Sequence, residues 1–133
     1  MTAEATIRAY YDAFNRGDAP GMLALLTDDV AHDINQGERE TGRDAFARFM
    51  ERMNTAYREQ LADIVVMAAP DGARAAAEFV VHGTYLQADE GLPPAHGQTY
   101  VLPAGAFFEL HGGKIARVTN YYNLADWLRQ VGG

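Results

Sequence analysis

The chain contains no cysteine. Disulfides and thiolate metal sites are therefore excluded, and the composition fits a reducing compartment, so a cytoplasmic location is expected. No apolar run approaches the roughly 18 residues that a membrane-spanning helix needs, so no membrane partner is expected. The opening stretch, MTAEATIRAYYDAF, lacks a basic segment followed by an apolar one, so it does not read as a secretion signal. Proline (5) and glycine (13) are too few for a disordered or collagen-like chain. Positive charge is also scarce. Eleven Lys and Arg face 18 Asp and Glu, a net charge of −7 that repels phosphate backbones, so nucleic acid is not an expected partner.

The catalytic signatures of several enzyme classes are missing too. The four histidines, His32, His82, His96 and His111, have neither H-x₃-H nor H-E-x-x-H spacing. The sequence shows no glycine-rich phosphate loop ahead of a helix and no G-x-S-x-G elbow. Neither a metal nor a cofactor is expected.

What is present is an ordinary globular sequence of 133 residues, 48% hydrophobic and 22% charged, which predicts one domain over 1–133 with one core. Ile7, Tyr10, Tyr11 and Phe14 form one stripe of an amphipathic helix. Gly17 suits the left-handed position after it, and Asp18 suits the cap of a short second helix carrying Met22, Leu23, Leu25 and Leu26. A short extended piece, VAHDIN, follows. Phe46, Phe49, Met50, Met53 and Tyr57 mark a further helix, with Thr41-x-x-Asp44 as a capping box. Arg39, Arg43, Arg48, Arg52 and Arg58 interleave with Glu38, Glu40, Asp44, Glu51 and Glu59, a pattern expected of a solvated helix face.

From residue 61 the period changes. LADIVVMAA reads as a strand and Pro70-Asp71-Gly72 as a turn. RAAAEFVVHGTYL alternates, with Ala77, Phe79, Val81 and Tyr85 on one face and Glu78, His82 and Thr84 on the other, so His82 is expected outside. After the loop QADEGLPPAHG, the segments QTYVLPAGAFFEL and KIARVTNYY read as long strands joined by a tight HGG turn. LADWLRQV closes the chain as a short helix, with Asn123-x-x-Asp126 as its cap. Helices first, strands in meander, then a helix define an α+β fold. Gly83, Pro103 and Gly105 inside strands would let a curved antiparallel sheet bend around the N-terminal helices into a cone.

This layout resembles the nuclear transport factor 2-like superfamily over nearly the whole chain. AYYDAFNRGDAPGMLALLTDD is similar to the opening of bacterial ketosteroid isomerases. GTYLQADEGLPPAHGQTYVLPAGAFFELHGGKIARVTNYYNLADWLRQVG is similar to SnoaL-like polyketide cyclases. The resemblance implies a cone-shaped α+β barrel with a cavity at its open end, usually no metal, and often a homodimer through the outer face of the sheet. The superfamily mixes enzymes with binding modules, so the reaction has to be argued from individual residues.

Proton abstraction next to a carbonyl needs a base within reach and hydrogen-bond donors where charge develops. Asp33 matches the isomerase base if one residue is deleted ahead of it; without that gap Ile34 takes the position. Tyr10 matches the oxyanion tyrosine, with Tyr11 as a neighbour able to substitute. The isomerase's oxyanion acid is replaced by Gly105, and the cyclase's acid by Asn123. Asn120 and Tyr122 share a strand face with Ala116 and Val118, which by comparison with the isomerase lines the cavity. Phe79, Val81, Tyr85, Val101, Pro103, Phe107, Phe49, Met50 and Met53 are expected as pocket or core walls. The function expected is an isomerase- or cyclase-type enzyme acting on a small apolar, carbonyl-bearing ligand, with Asp33 and Tyr10 catalytic. The alternative is a non-catalytic ligand-binding or dimerisation module on the same fold.

Overall fold

A computed structural model describes residues 1–34 and 37–132. Helix α1 (Ala3–Arg16) starts where the Thr2 side chain accepts from the Ala5 N–H, and it ends at Gly17, whose φ of 71° is left-handed. Helix α2 (Ala19–Leu23) is capped by Asp18, which accepts from the Gly21 N–H. It is shorter than its leucines suggest, because Leu26 already opens strand β1 (Leu26–Asp33). The extended stretch is therefore longer than VAHDIN at its start, and Asn35 at its end lies outside the described residues.

Strand β2 (Arg39–Thr41) precedes helix α3 (Arg43–Ala56). The expected capping box is not formed: the N-cap is Gly42, with no side-chain hydrogen bond. Tyr57 ends the helix in an extended conformation and begins strand β3 (Tyr57–Ala68). The mixed-charge run is consequently not one helix face. Arg39 and Glu40 belong to β2, and Arg58 and Glu59 to β3. Strands β4 (Arg74–Tyr85), β5 (Thr99–His111) and β6 (Lys114–Tyr122) follow, and helix α4 (Leu124–Gly132) closes the chain.

The six strands form one unclosed, curved sheet in the order β2-β1-β6-β5-β4-β3, antiparallel except for the parallel β1–β6 pair. Its inner face is covered by α1 and α3. Ile7, Tyr10 and Tyr11 of α1 are buried, with the Tyr10 ring edge-on to Phe108 and the Tyr11 ring 5.1 Å from Phe79. Burying each such side chain contributes on the order of 2 kcal/mol, which is how the α1 stripe is held to the sheet. Among the described residues no helix is long and apolar enough to cross a membrane.

Two irregularities decide which side chains face inward. In β3 the register against β4 slips between Ala62 and Val65, where Asp63 has φ 54°. Before the bulge the odd residues Tyr57, Glu59 and Leu61 are the less exposed ones; after it the even residues Ile64 and Val66 are. In β5 the inward residues are Tyr100, Leu102, Ala106, Phe108 and Leu110. Val101, Pro103 and Phe107, expected as walls of the interior, are exposed on the outer face instead. The outer face of β5 is apolar along its middle, at Val101, Pro103 and Phe107, and only its ends, Thr99, Glu109 and His111, carry the polar side chains that mark that face as outward.

Candidate active site

Asp33 was expected to supply an interior base. The alternation of β1 turns His32 inward, 2% exposed, and sends Asp33 to the outer face. There both Asp33 oxygens meet Arg39, Nε to Oδ1 at 2.6 Å and Nη2 to Oδ2 at 3.1 Å, and the Thr119 hydroxyl donates to Oδ2 at 2.5 Å. The hydrogen bond from Arg39 is the main cause that holds the Asp33 pKa down at about 2. A carboxylate so stabilised is a weak base, and the fold turns it away from the cone.

A carboxyl that does face inward is Glu59. It sits on the inward parity of β3, in register with Gly83 of β4, which is in register with Tyr100 of β5. A Cβ at Gly83 would overlap the Tyr100 ring, so the missing side chain is what lets the phenol cross β4. The Tyr100 hydroxyl then donates to Glu59 Oε2 at 2.5 Å. Desolvation raises the Glu59 pKa above the ordinary carboxylate value, against the opposing pull of the Tyr100 bond. Burial likewise raises the Tyr100 pKa, so the phenol remains a donor.

Further aromatic and acidic groups gather at this end of the sheet. Tyr57 stacks on Tyr85 with ring centres 5.5 Å apart and donates its hydroxyl to Asp89 at 3.0 Å. Trp127 of α4 meets Tyr57, Tyr85 and Tyr100 edge-on. Tyr122 lies near enough for Glu59 and Asp89 to raise its pKa, after the larger effect of desolvation. The loop from 86 to 98 folds over the cluster. The Tyr85 hydroxyl donates to the Pro93 carbonyl at 2.7 Å and accepts from the Asp89 N–H, while Gln98 donates to the Pro94 and Val131 carbonyls. Gln130 of α4 bonds both the N–H and the C=O of Val101.

The other expected site residues divide by position. Asn120 and Tyr122 are in register with the inward Ala106 and Ala104, so both lie on the inner face of β6. Asn120 is half-buried and Tyr122 is 38% exposed. Phe79, Val81 and Tyr85 are inward but fully packed, and Phe49 and Met53 are half-buried on α3. Tyr10 is core, with its pKa raised by burial, far from the geometry of an exposed proton donor. Asn123 caps α4, its Oδ1 accepting from the Asp126 N–H at 3.0 Å. His82 is exposed on the outer face. Two open depressions on the surface, of about 320 and 390 Å³, lie at Met67, Arg74 and Phe107 and at Met1, Asp71 and Gly112; Glu59 lines neither.

Glu59 is hidden in the sequence because it closes a run of alternating charges that reads as a helix face. Tyr57, Glu59 and Leu61 recur with period two, and that was the available signal. Among the described residues no group of three or more His, Asp or Glu could hold a metal ion.

The curved α+β sheet with helices on its inner face is the nuclear transport factor 2-like fold, shared with a protein of that fold from Burkholderia pseudomallei K96243 that is 21% identical over the full length of both chains, TM-score 0.77. Within that class the chain belongs to the SnoaL-like domain family, whose model matches residues 7–118. It is similar to a crystal structure from Pseudomonas putida KT2440 that carries the provisional label polyketide cyclase, with 70% identity, coverage of 98% of both chains and a TM-score of 0.97. A second structure under the same provisional label, from Xanthomonas campestris pv. campestris, is 63% identical over 96% of this chain and 95% of that one, TM-score 0.93. An epoxide hydrolase of the LEH-like type from M. tuberculosis, 18% identical over 97% and 84% of the two chains with a TM-score of 0.76, shares the fold. No curated protein matches the chain.

Proposed function

We propose that the protein is an isomerase- or cyclase-type enzyme that moves a proton next to a carbonyl of an apolar, steroid- or polyketide-like molecule, with Glu59 as the proton-transfer group. The observation that carries this reading is the Glu59–Tyr100 pair: an inward carboxyl of raised pKa, fixed at one oxygen by a phenol. A raised carboxyl pKa lies nearer the operating pH, where a group can both take and return a proton. The ionised Glu59 removes the proton from the carbon beside the carbonyl. The C–H electron pair shifts into an enolate, and the Tyr122 phenol and the Asn120 amide donate to its oxygen. Neutral Glu59 then returns the proton to another carbon for isomerisation; for cyclisation the enolate carbon attacks a second carbonyl, the C=O π pair moves onto that oxygen, and the oxygen takes the proton from Glu59. Family membership and the provisional labels of the similar structures support the reaction class.

The test is solvent exchange. In D₂O the wild-type protein should catalyse deuterium incorporation beside the carbonyl of a Δ5-3-ketosteroid or an aromatic polyketide ketone. Glu59→Gln should slow it by about 10²–10⁴-fold. Equal exchange in Glu59→Gln would remove Glu59 from the mechanism. Saturable binding with no exchange would favour a non-catalytic binding module.

The same reading includes a second copy of the chain as partner. Val65, Met67, Val101, Phe107 and Tyr121 expose between 47% and 53% of their surface, and the last three belong to the outer faces of β5 and β6. Exposed apolar groups of this size on one sheet face suit a self-complementary contact.

A further inference from the structure

A second polar pair lies inside the fold, on β1 and β2, and the Glu59 reading makes no use of it. His32 is 2% exposed, between the rings of Phe46 and Phe49 at 4.6 and 4.5 Å. Its Nδ1 is buried and has no hydrogen-bond partner among the described residues. Directly across the β1–β2 ladder stands Glu40, and its Oε1 is likewise buried without a partner. The two groups sense each other electrostatically: burial lowers the His32 pKa, and the charge of Glu40 opposes that shift. Leaving one such atom unsatisfied costs about 1–3 kcal/mol, and two on facing residues of one ladder ask for a common partner.

The chemistry of that partner follows from the donor inventory. A neutral imidazole protonated at Nδ1 needs an acceptor, and a carboxylate oxygen needs a donor. A hydroxyl group is both. Placed between them it accepts from Nδ1–H and donates to Oε1, so one group satisfies both orphan atoms. An ether or carbonyl oxygen could serve only His32, and an apolar group neither.

We propose that the His32–Glu40 pair is a binding subsite for a hydroxyl group of the ligand, a phenol or an enol, inside the aromatic lining supplied by Phe46 and Phe49. The subsite would orient hydroxylated aromatic molecules and discriminate against analogues in which that hydroxyl is missing or methylated. It rests on β1–β2 geometry alone and stands or falls independently of Glu59.

The experiment uses 2-naphthol, 2-methoxynaphthalene and naphthalene as probes of the wild-type protein, His32→Phe and Glu40→Leu. Binding is read by titration, and the imidazole by ¹⁵N spectra of labelled histidine. The expected result is that 2-naphthol binds at least tenfold more tightly than either analogue and shifts the His32 Nδ1 resonance. Both variants should lose that preference while still binding naphthalene. Equal affinity for the three probes, an unmoved Nδ1 resonance, or no binding of 2-naphthol would each overturn the proposal and leave a resident water as the partner of the pair. The wild-type spectra decide the matter even if His32→Phe fails to fold.

Discussion

Tyr100 reaches Glu59 by crossing Gly83. The phenol and the carboxyl stand on strands that are not neighbours, and only the absence of a side chain on the strand between them allows the 2.5 Å bond. Gly83 is thus a positioning residue for the acid. Gly83→Ala would push the Tyr100 ring aside. It is expected to destabilise the fold by about 1–3 kcal/mol through overpacking. It should also change the pH profile of any exchange activity, because Glu59 loses its hydrogen-bond donor. Denaturant unfolding and a pH–rate profile check both.

Glu59 makes a linked prediction about stability. Its folded pKa is raised, so between the ordinary carboxylate value and the folded value the native state binds more protons than the unfolded one. Stability contributed by the neutral carboxyl is therefore fully present at low pH and falls as pH rises through the folded pKa. Glu59→Gln removes that slope. Relative to the wild type, the variant should gain stability as pH rises, even as it loses activity. Thermal unfolding across pH 4 to 9 tests this; parallel curves for the two proteins would contradict it.

Asp33 behaves in the opposite sense. Its pKa is depressed to about 2 by Arg39 first and Thr119 in addition. The stabilisation is present above the ordinary carboxylate range and is lost as pH falls toward 2. Asp33→Asn should therefore be less stable than the wild type at neutral pH, by no more than about 1 kcal/mol because Arg39 is largely exposed. The difference should shrink on acidification below about pH 4, the ordinary carboxylate range. Exchange activity should be unchanged, since the carboxylate faces outward. Abolished turnover in Asp33→Asn would restore it as a catalytic candidate.

Phe107 tests the partner. Its ring is 51% exposed and sits edge-on to Tyr121, with centres 5.7 Å apart. Sedimentation should find the wild-type protein dimeric and Phe107→Glu monomeric, because a buried unpaired carboxylate opposes association. A monomeric wild-type protein would remove the outer face as a self-contact.

Local signals in the sequence were enough for much of this molecule. Gly17 and Asp18 ended one helix and began the next, Asn123 capped the last, and the period of two put Asn120 and Tyr122 on one face of β6. Each depends on neighbouring residues alone. The end of α3 was less legible, since no glycine or proline marks Ala56, and the charge alternation runs on into β3.

What only the tertiary structure decided was which of the candidate acidic side chains turn inward. The strand period fixes that His32 and Asp33 point opposite ways, but not which of them faces the helices; packing of His32 against Phe46 and Phe49 settled that. Likewise the bulge at Asp63 reverses the inward parity of β3, and Gly83 opens a path between strands distant in sequence. Pairings such as Glu59 with Tyr100 are non-local, 41 residues apart, and arise from how the sheet is ordered and curved. The sequence alone determined most of the elements and the family likeness; the folded sheet selected Glu59 for desolvation and a phenol bond, because both exist only once the strands are side by side.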